Sequence, residues 1–187
     1  TLTTIPSRLK NLEITIKSIN KQTLKPNKIF LNIPYKYKRF PESSINEKDL
    51  ENIKKLENVE ITRCEDFGPS TKLMGSLDKI KNYDCVIIVD DDHEYNELMC
   101  EIFIEEFKIK RLNYSFYLNK IFNIKMAQCA DGFLINTKYL DKIEAFYERF
   151  VIKNKNMFYD DDLWFAIYLQ LVKKTQIIKT LEIFQRK

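Results

Sequence analysis

Glycine is scarce in this chain: three occur in 187 residues, alongside five prolines. So few leave no flexible linker and no low-complexity tract, and one domain spanning residues 1–187 is expected. The four cysteines, Cys64, Cys85, Cys100 and Cys129, form no C-x-x-C pair. That argues against a zinc cluster and leaves buried reduced thiols as the ordinary expectation. Apolar runs such as Cys85 to Val89 fall far short of the roughly 18 to 20 residues needed to span a bilayer. No secretory signal is visible at the amino end, so a cytoplasmic location is expected, with any peripheral membrane contact coming through segments outside this chain. Neither sign of charge dominates. The 31 basic and 27 acidic groups give a net +4, spread along the sequence rather than gathered into the basic stripe of a dedicated nucleic-acid binder. No nucleic-acid partner is expected.

What is present is an ordinary globular balance, 44% apolar and 31% charged, in a chain long enough to bury a core. Strand and helix signals alternate, which predicts an α/β layer fold with a largely parallel sheet. Leu2 to Ile5 reads as a first strand. Leu9, Leu12, Ile16 and Ile19 repeat at three and four as one helix face. Lys28 to Ile33 reads as a strand stopped by Pro34, Leu50, Ile53 and Leu56 as a helix, and Val59 to Thr62 as a third strand. Leu73, Met74, Leu77 and Ile80 make another helical stripe, entered through Gly68-Pro69-Ser70. Cys85 to Val89 is continuously apolar, as a strand covered on both faces should be. Helices are expected over Leu98 to Phe107, Tyr139 to Phe150 and Leu163 to Val172, and a strand within Gln128 to Ile135. Asn113 to Met126 fits either a loop or a hairpin.

The sharpest chemical signal is Asp90-Asp91-Asp92 directly after the Cys85 to Val89 run. Ligands of open α/β sheets gather beyond the carboxyl ends of strands. Three adjacent carboxylates repel one another there, and a bound cation is the simplest offset. Oxygen donors suit Mg²⁺ or Mn²⁺, which complete their shells with water and substrate phosphates. The competing expectation is a solvated acidic turn before the next helix. Pleat alternation would send Asp90 and Asp92 to one side and Asp91 to the other. Ser7 is a plausible helix N-cap and Pro6 a strand stop, while the planar guanidinium of Arg8 suits stacking or phosphate contact. Lys72 lies at a helix start, where free N–H groups and a point charge favour an anion, or else it is a surface lysine beyond a tight turn. Asp160 to Asp162 fits helix capping, with a proton-accepting role as the alternative. The lone His93 serves either as a polar contact or as an additional ligand. Tyr35 to Phe40 interleaves aromatic and basic residues and is expected to be a surface loop, near an acceptor rather than a nucleic acid.

Five segments together resemble one family: Thr3-Thr4-Ile5-Pro6-Ser7-Arg8-Leu9, Pro26 to Leu31, Asp66-Phe67-Gly68-Pro69-Ser70-Thr71-Lys72-Leu73, Asp90-Asp91-Asp92, and Asp160-Asp161-Asp162-Leu163-Trp164. In order and spacing they are similar to GT-A glycosyltransferases, including small bacterial and viral members, over nearly the whole chain. The resemblance implies the GT-A Rossmann-like fold, a mixed and mostly parallel sheet flanked by helices. It implies transfer of a hexose or related sugar from a nucleotide-sugar, expected to be a UDP-sugar, to a glycan or lipid-linked acceptor, with Mn²⁺ or Mg²⁺ as cofactor. By position it implies that Thr4, Pro6 and Arg8 contact the base, Asp66 the base or ribose, Lys72 the diphosphate and Asp90 the ribose. Asp92 would ligate the metal, and Asp91 belongs to the donor site without an assigned role. Asp131 and Gly132 would face the sugar and acceptor, and Asp162, or Asp161 beside it, would take the acceptor proton. Two rivals stand beside this expectation. One is a non-catalytic nucleotide- or carbohydrate-binding domain on the same scaffold. The other is a sugar nucleotidyltransferase, which the lack of a Gly-rich phosphate loop argues against.

Overall fold

A computed structural model of the chain describes residues 1–180. The first three strands, β1 (Leu2–Thr3), β2 (Ile29–Pro34) and β3 (Val59–Cys64), form a parallel sheet with β2 in the middle. Its register sets Leu2 against Leu31 and Ile29 against Val59. β4 (Cys85–Ile88), β5 (Asn113–Ser115), β8 (Phe133–Asn136) and β9 (Ile177–Lys179) form a second sheet in the order β4-β8-β5-β9. There β8 runs antiparallel to both neighbours and β9 parallel to β5. The two sheets meet at Thr1. Its amino group donates to the Ile87 carbonyl at 2.7 Å, and the Val89 N–H donates to the Thr1 carbonyl at 3.1 Å. That is the bond pair of a parallel bridge, and it sets Thr1, just ahead of β1, beside the end of β4. The remaining strands, β6 (Leu118–Ile121) and β7 (Ile124–Ala127), make a separate hairpin.

Pleat alternation divides the core into two layers. Phe30, Val86, Ile88, Phe133 and Ile135 point to one side of the sheets, and Leu2, Ile29, Leu31, Ile33 and Leu134 to the other. On the second side pack α1 (Leu12–Asn20), through Leu12, Ile16 and Ile19, and α4 (Met99–Ile109), through Met99, Phe103 and Phe107. On the first side pack α2 (Thr71–Met74), α3 (Leu77–Ile80) and α5 (Ile143–Phe146), with α6 (Lys155–Tyr159) and α7 (Asp161–Ile167) beyond them. The protein is thus mixed α/β with helices on both faces of its sheets.

Several expectations need correction. The Leu73–Ile80 stripe is two short helices, because at Gly75 the backbone comes so close to the sheet that a Cβ would sit 2.7 Å from the Asn32 side chain. Leu50, Ile53 and Leu56 do not build an α-helix. They sit on single 3₁₀ turns, Lys48–Leu50 and Ile53–Lys55, with Leu50 and Ile53 buried. Pro34 does end β2, as its last residue, still in register with Cys64. Ser7 caps nothing: a 3₁₀ segment, Pro6–Asn11, starts one residue earlier and makes no side-chain cap. Cys85 and Ile87 are only half-buried, so β4 is covered fully on one face. The helices at Tyr139–Phe150 and Leu163–Val172 exist in part, each loosening into π winding over Tyr147–Val151 and Tyr168–Val172. Helix α6 and strand β9 carry too few periodic residues to have been expected. Among the described residues no helix is long and apolar enough to cross a membrane.

Candidate functional site

The carboxyl ends of β1, β2, β3 and β4 open on one cleft of about 250 Å³. Thr3 and Thr4 reach it from β1, Pro34 from β2, Asp66 from beyond β3, and Asp90 and Asp91 from beyond β4. Lys72 of α2, Asp161 of α7, and Arg8 complete its polar lining. This is where an open α/β sheet gathers its ligands, since strand ends and helix starts point their polar groups there.

The acidic run is held apart by two cations of the chain itself. Arg8 Nη1 lies 2.9 Å from Asp91 Oδ1 and 3.1 Å from Asp92 Oδ2. Thr4 Oγ1 donates to the other Asp91 oxygen, and Thr15 Oγ1 donates to the Asp91 and His93 carbonyls at 3.0 and 2.8 Å. Lys72 Nζ sits between Asp90, to which it donates a short bond, and Asp161 Oδ2 at 3.0 Å, an ion pair without hydrogen-bond alignment. The mutual repulsion expected of the triplet is therefore offset inside the fold. The alternation expected along it also fails. The strand ends at Ile88, so Asp91 and Asp92 share Arg8 while Asp90 turns alone to Lys72.

Burial alone would lower the Lys72 pKa, but Asp161 and Asp90 raise it well above the ordinary lysine value, so it stays charged. Burial raises the Asp161 carboxyl, opposed by Lys72. Asp162 is pushed up to about 6, first by burial and then by the Asp161 charge, although its Oδ1 accepts the Cys129 N–H at 3.1 Å. Burial pushes the Cys129 thiol well up, so it remains protonated.

Among the residues expected to act, Thr4, Arg8, Asp66, Lys72, Asp90, Asp91 and Asp161 share the cleft. Pro6 opens the 3₁₀ turn behind them and does not line it. Asp92 stands at the rim, its side chain 41% exposed, with Oδ1 2.8 Å from His93 Nδ1. Asp66 ties loops together: its Oδ2 accepts the Lys38 N–H at 2.6 Å and its Oδ1 the Gly68 N–H at 2.8 Å. Asp162 lies behind the cleft beside Cys129. Asp131 and Gly132 stay off the lining. Gly132 has φ +93°, open to a residue without Cβ, and packs on Met99 and Phe103.

Sequence reasoning missed Tyr95, whose hydroxyl accepts the Asp90 N–H at 2.9 Å and lies 3.1 Å from the Ala130 carbonyl. It links the Ala130–Gly132 turn to the acidic run. No periodic or motif signal marks it. In the Tyr35–Phe40 loop, Tyr37 is buried and donates to the Thr4 carbonyl at 3.0 Å, while Arg39 and Phe40 line the cleft. The segment is otherwise the exposed loop that was expected, with Tyr37 its one buried residue.

Two donor sets could meet a divalent cation. Cys129, Asp161 and Asp162 are the only described residues that bring three ligand atoms within 4.8 Å of one another. A protonated thiol and the Lys72 ammonium beside Asp161 suit a cation poorly. Asp92 is a rim carboxylate whose Oδ2 lies 3.1 Å from Arg8 and whose Oδ1 lies 2.8 Å from His93, so a cation there would have to displace Arg8 and take most of its shell from water and phosphate, the way Mg²⁺ is commonly held. No family model and no curated protein matches the chain.

Proposed function

We propose that the chain is a metal-dependent glycosyltransferase of the GT-A type, taking a sugar from a nucleotide-sugar, a UDP-sugar by preference, to a glycan or lipid-linked acceptor. The observation that carries it is the meeting of Asp90, Asp91, Lys72, Asp161 and Arg8 in one cleft at the carboxyl ends of four strands. The mixed α/β layering, with a parallel three-stranded sheet and helices on both faces, is consistent with that type.

In this proposal the base and ribose lie against Thr4, Arg8, Asp66 and Asp90, and Pro6 shapes the turn beneath them. Arg8 and Lys72 are the cations that meet the diphosphate. Each is already poised on a carboxylate, so a phosphate replaces one anion by another without desolvating the side chain anew. A Mn²⁺ or Mg²⁺ ion on Asp92 would neutralise charge developing on the departing diphosphate. Asp131 and Gly132, tied to Asp90 through Tyr95, border the sugar. The acceptor proton goes to Asp162 if its side chain turns from Cys129 toward the cleft: a carboxylate that titrates near 6 is ionised at neutral pH and still basic enough to hold a proton. Asp161, the cleft-facing neighbour, keeps Lys72 in place and is the alternative base.

A second function is favoured by one observation. Arg8 and Lys72 neutralise the acidic run without a metal, which suits a non-catalytic domain that binds nucleotide or carbohydrate. A thermal-shift screen of nucleoside diphosphates and nucleotide-sugars, each with and without Mn²⁺, tests the transferase. A Mn²⁺-dependent rise with a uridine nucleotide, followed by slow donor hydrolysis, is expected. Binding without turnover in the presence of acceptors would favour the module instead, and no response to any nucleotide would remove both.

A further inference from the structure

The β6–β7 hairpin projects a bulky apolar residue into solvent. Phe122, first of the two residues between Ile121 and Ile124, is 92% exposed and takes φ +52°. Two-residue hairpin loops favour Gly or Asn where φ is positive, and a phenylalanine there is both strained and unburied. Gln170 clamps the hairpin to the end of the α7 helix, accepting the Lys125 N–H at 3.0 Å and donating to the Lys125 carbonyl at 2.7 Å. The next two residues, Leu171 and Val172, are 61% and 45% exposed. Ile121, next to the tip, is 38% exposed.

The two segments that build this surface are basic. Residues 112–130 and 163–180, which supply the hairpin and the helix end, contain five lysines and no Asp or Glu, in a chain with 27 acidic residues. Lys120 and Lys125 are direct cross-strand partners, a like-charge pair that destabilises a hairpin. Among the described residues neither takes part in an ion pair. Lys174 follows the helix end, exposed and also at positive φ, while Lys173 is held by Asp141. An acidic protein surface would answer the lysines and leave Phe122 wet. An apolar groove would bury Phe122 and strand the lysines. A bilayer with anionic headgroups satisfies both at one depth, as interfacial segments do.

We propose that the hairpin tip and the adjoining end of the α7 helix dock the protein on an anionic lipid surface, with Phe122, Ile121 and Leu171 entering the headgroup region and Lys120, Lys125 and Lys174 meeting its charge. The docking surface does not depend on the transferase proposal. Where both hold, Leu171 lies nine positions beyond Asp162 on the same helical segment, which suits an acceptor presented by that membrane.

Co-sedimentation of the full chain with vesicles of phosphatidylcholine plus phosphatidylglycerol, and of phosphatidylcholine alone, tests it without any activity. Binding to the mixed vesicles that weakens with added salt is expected. Phe122→Ser should cost about tenfold in partitioning, and Lys120→Gln and Lys125→Gln about fivefold each. All three side chains are exposed, so unchanged circular dichroism and no loss of melting temperature should accompany the weaker binding. Failure to bind mixed vesicles at low salt overturns the proposal, as does equal binding to both vesicle types. So does a Phe122→Ser protein that binds as before. A concentration-dependent dimer that Phe122→Ser abolishes, with no vesicle binding, would assign the surface to a second copy of the chain instead.

Discussion

Replacing Asp162 by asparagine should make the protein more stable, and only at higher pH. In the folded state the Asp162 carboxyl titrates near 6 rather than at 3.8, because burial and the neighbouring Asp161 charge both disfavour its ionised form. The sign is opposite to that of a salt-bridged carboxylate. The native state holds this proton more tightly than the unfolded chain, so stability is greatest below the unfolded value and is lost as pH rises from about 4 to about 6. Once ionised, the group costs the fold about 3 kcal/mol. Asparagine keeps the shape and still accepts the Cys129 N–H, while removing the charge. Asp162→Asn should therefore gain up to about 3 kcal/mol at pH 8, or about 6 to 12 °C in Tm for a chain of this size, and almost nothing at pH 3.5. Thermal melts of both proteins across that pH range read the difference directly. Equal stabilisation at both pH values, or destabilisation at pH 8, would refute the electrostatic account of this cluster. If Asp162 is also the base, the same variant loses transfer, and wild-type transfer falls away below about pH 6.

Other perturbations reach the rest of the site. Lys72→Met leaves Asp90 and the buried Asp161 without their shared cation, and should cost about 3 to 5 kcal/mol in urea unfolding at pH 7. The cost should shrink as the pH is lowered, because burial raises the Asp161 carboxyl and makes it the readier to take up a proton. Tyr95→Phe removes the hydroxyl that joins the Asp90 N–H to the Ala130 carbonyl. About 1 to 2 kcal/mol of stability should go with it, and, if the turn borders the sugar, nucleotide-sugar affinity should fall while free nucleotide affinity holds in calorimetry.

What could be seen in the sequence was whatever local spacing dictates. Leu12, Ile16 and Ile19 announce α1, and the run ending in Asp90 announces a strand with its carboxyl end at a polar edge. The break inside Leu73–Ile80 was hidden because it depends on Gly75 meeting Asn32, a contact made across the sheet. The same holds for the electrostatics. Three consecutive aspartates suggested a missing cation, but their partners are Arg8, 83 residues from Asp91, and Lys72, 18 residues from Asp90. Pairing at that separation leaves no periodic trace. Asp162 illustrates the limit from the other side: its place in the first turn of a helix was legible, whereas its elevated pKa comes from burial and the Asp161 charge, against the lowering pull of the Cys129 N–H, and only the packed structure assembles these. The exposed hairpin tip was hidden too, since Phe122 reads as ordinary core until its neighbours are placed.

The central claim is that Asp92 and its cleft hold a nucleoside diphosphate through a divalent cation, and calorimetry with UDP and Mn²⁺ tests it most directly. Asp92 is a rim residue, so Asp92→Ala should fold unchanged. The account predicts UDP binding that needs Mn²⁺ in the wild type and weakens by at least about tenfold, 1.4 kcal/mol, in the variant. The same affinity in both proteins, or wild-type binding indifferent to Mn²⁺, would contradict it.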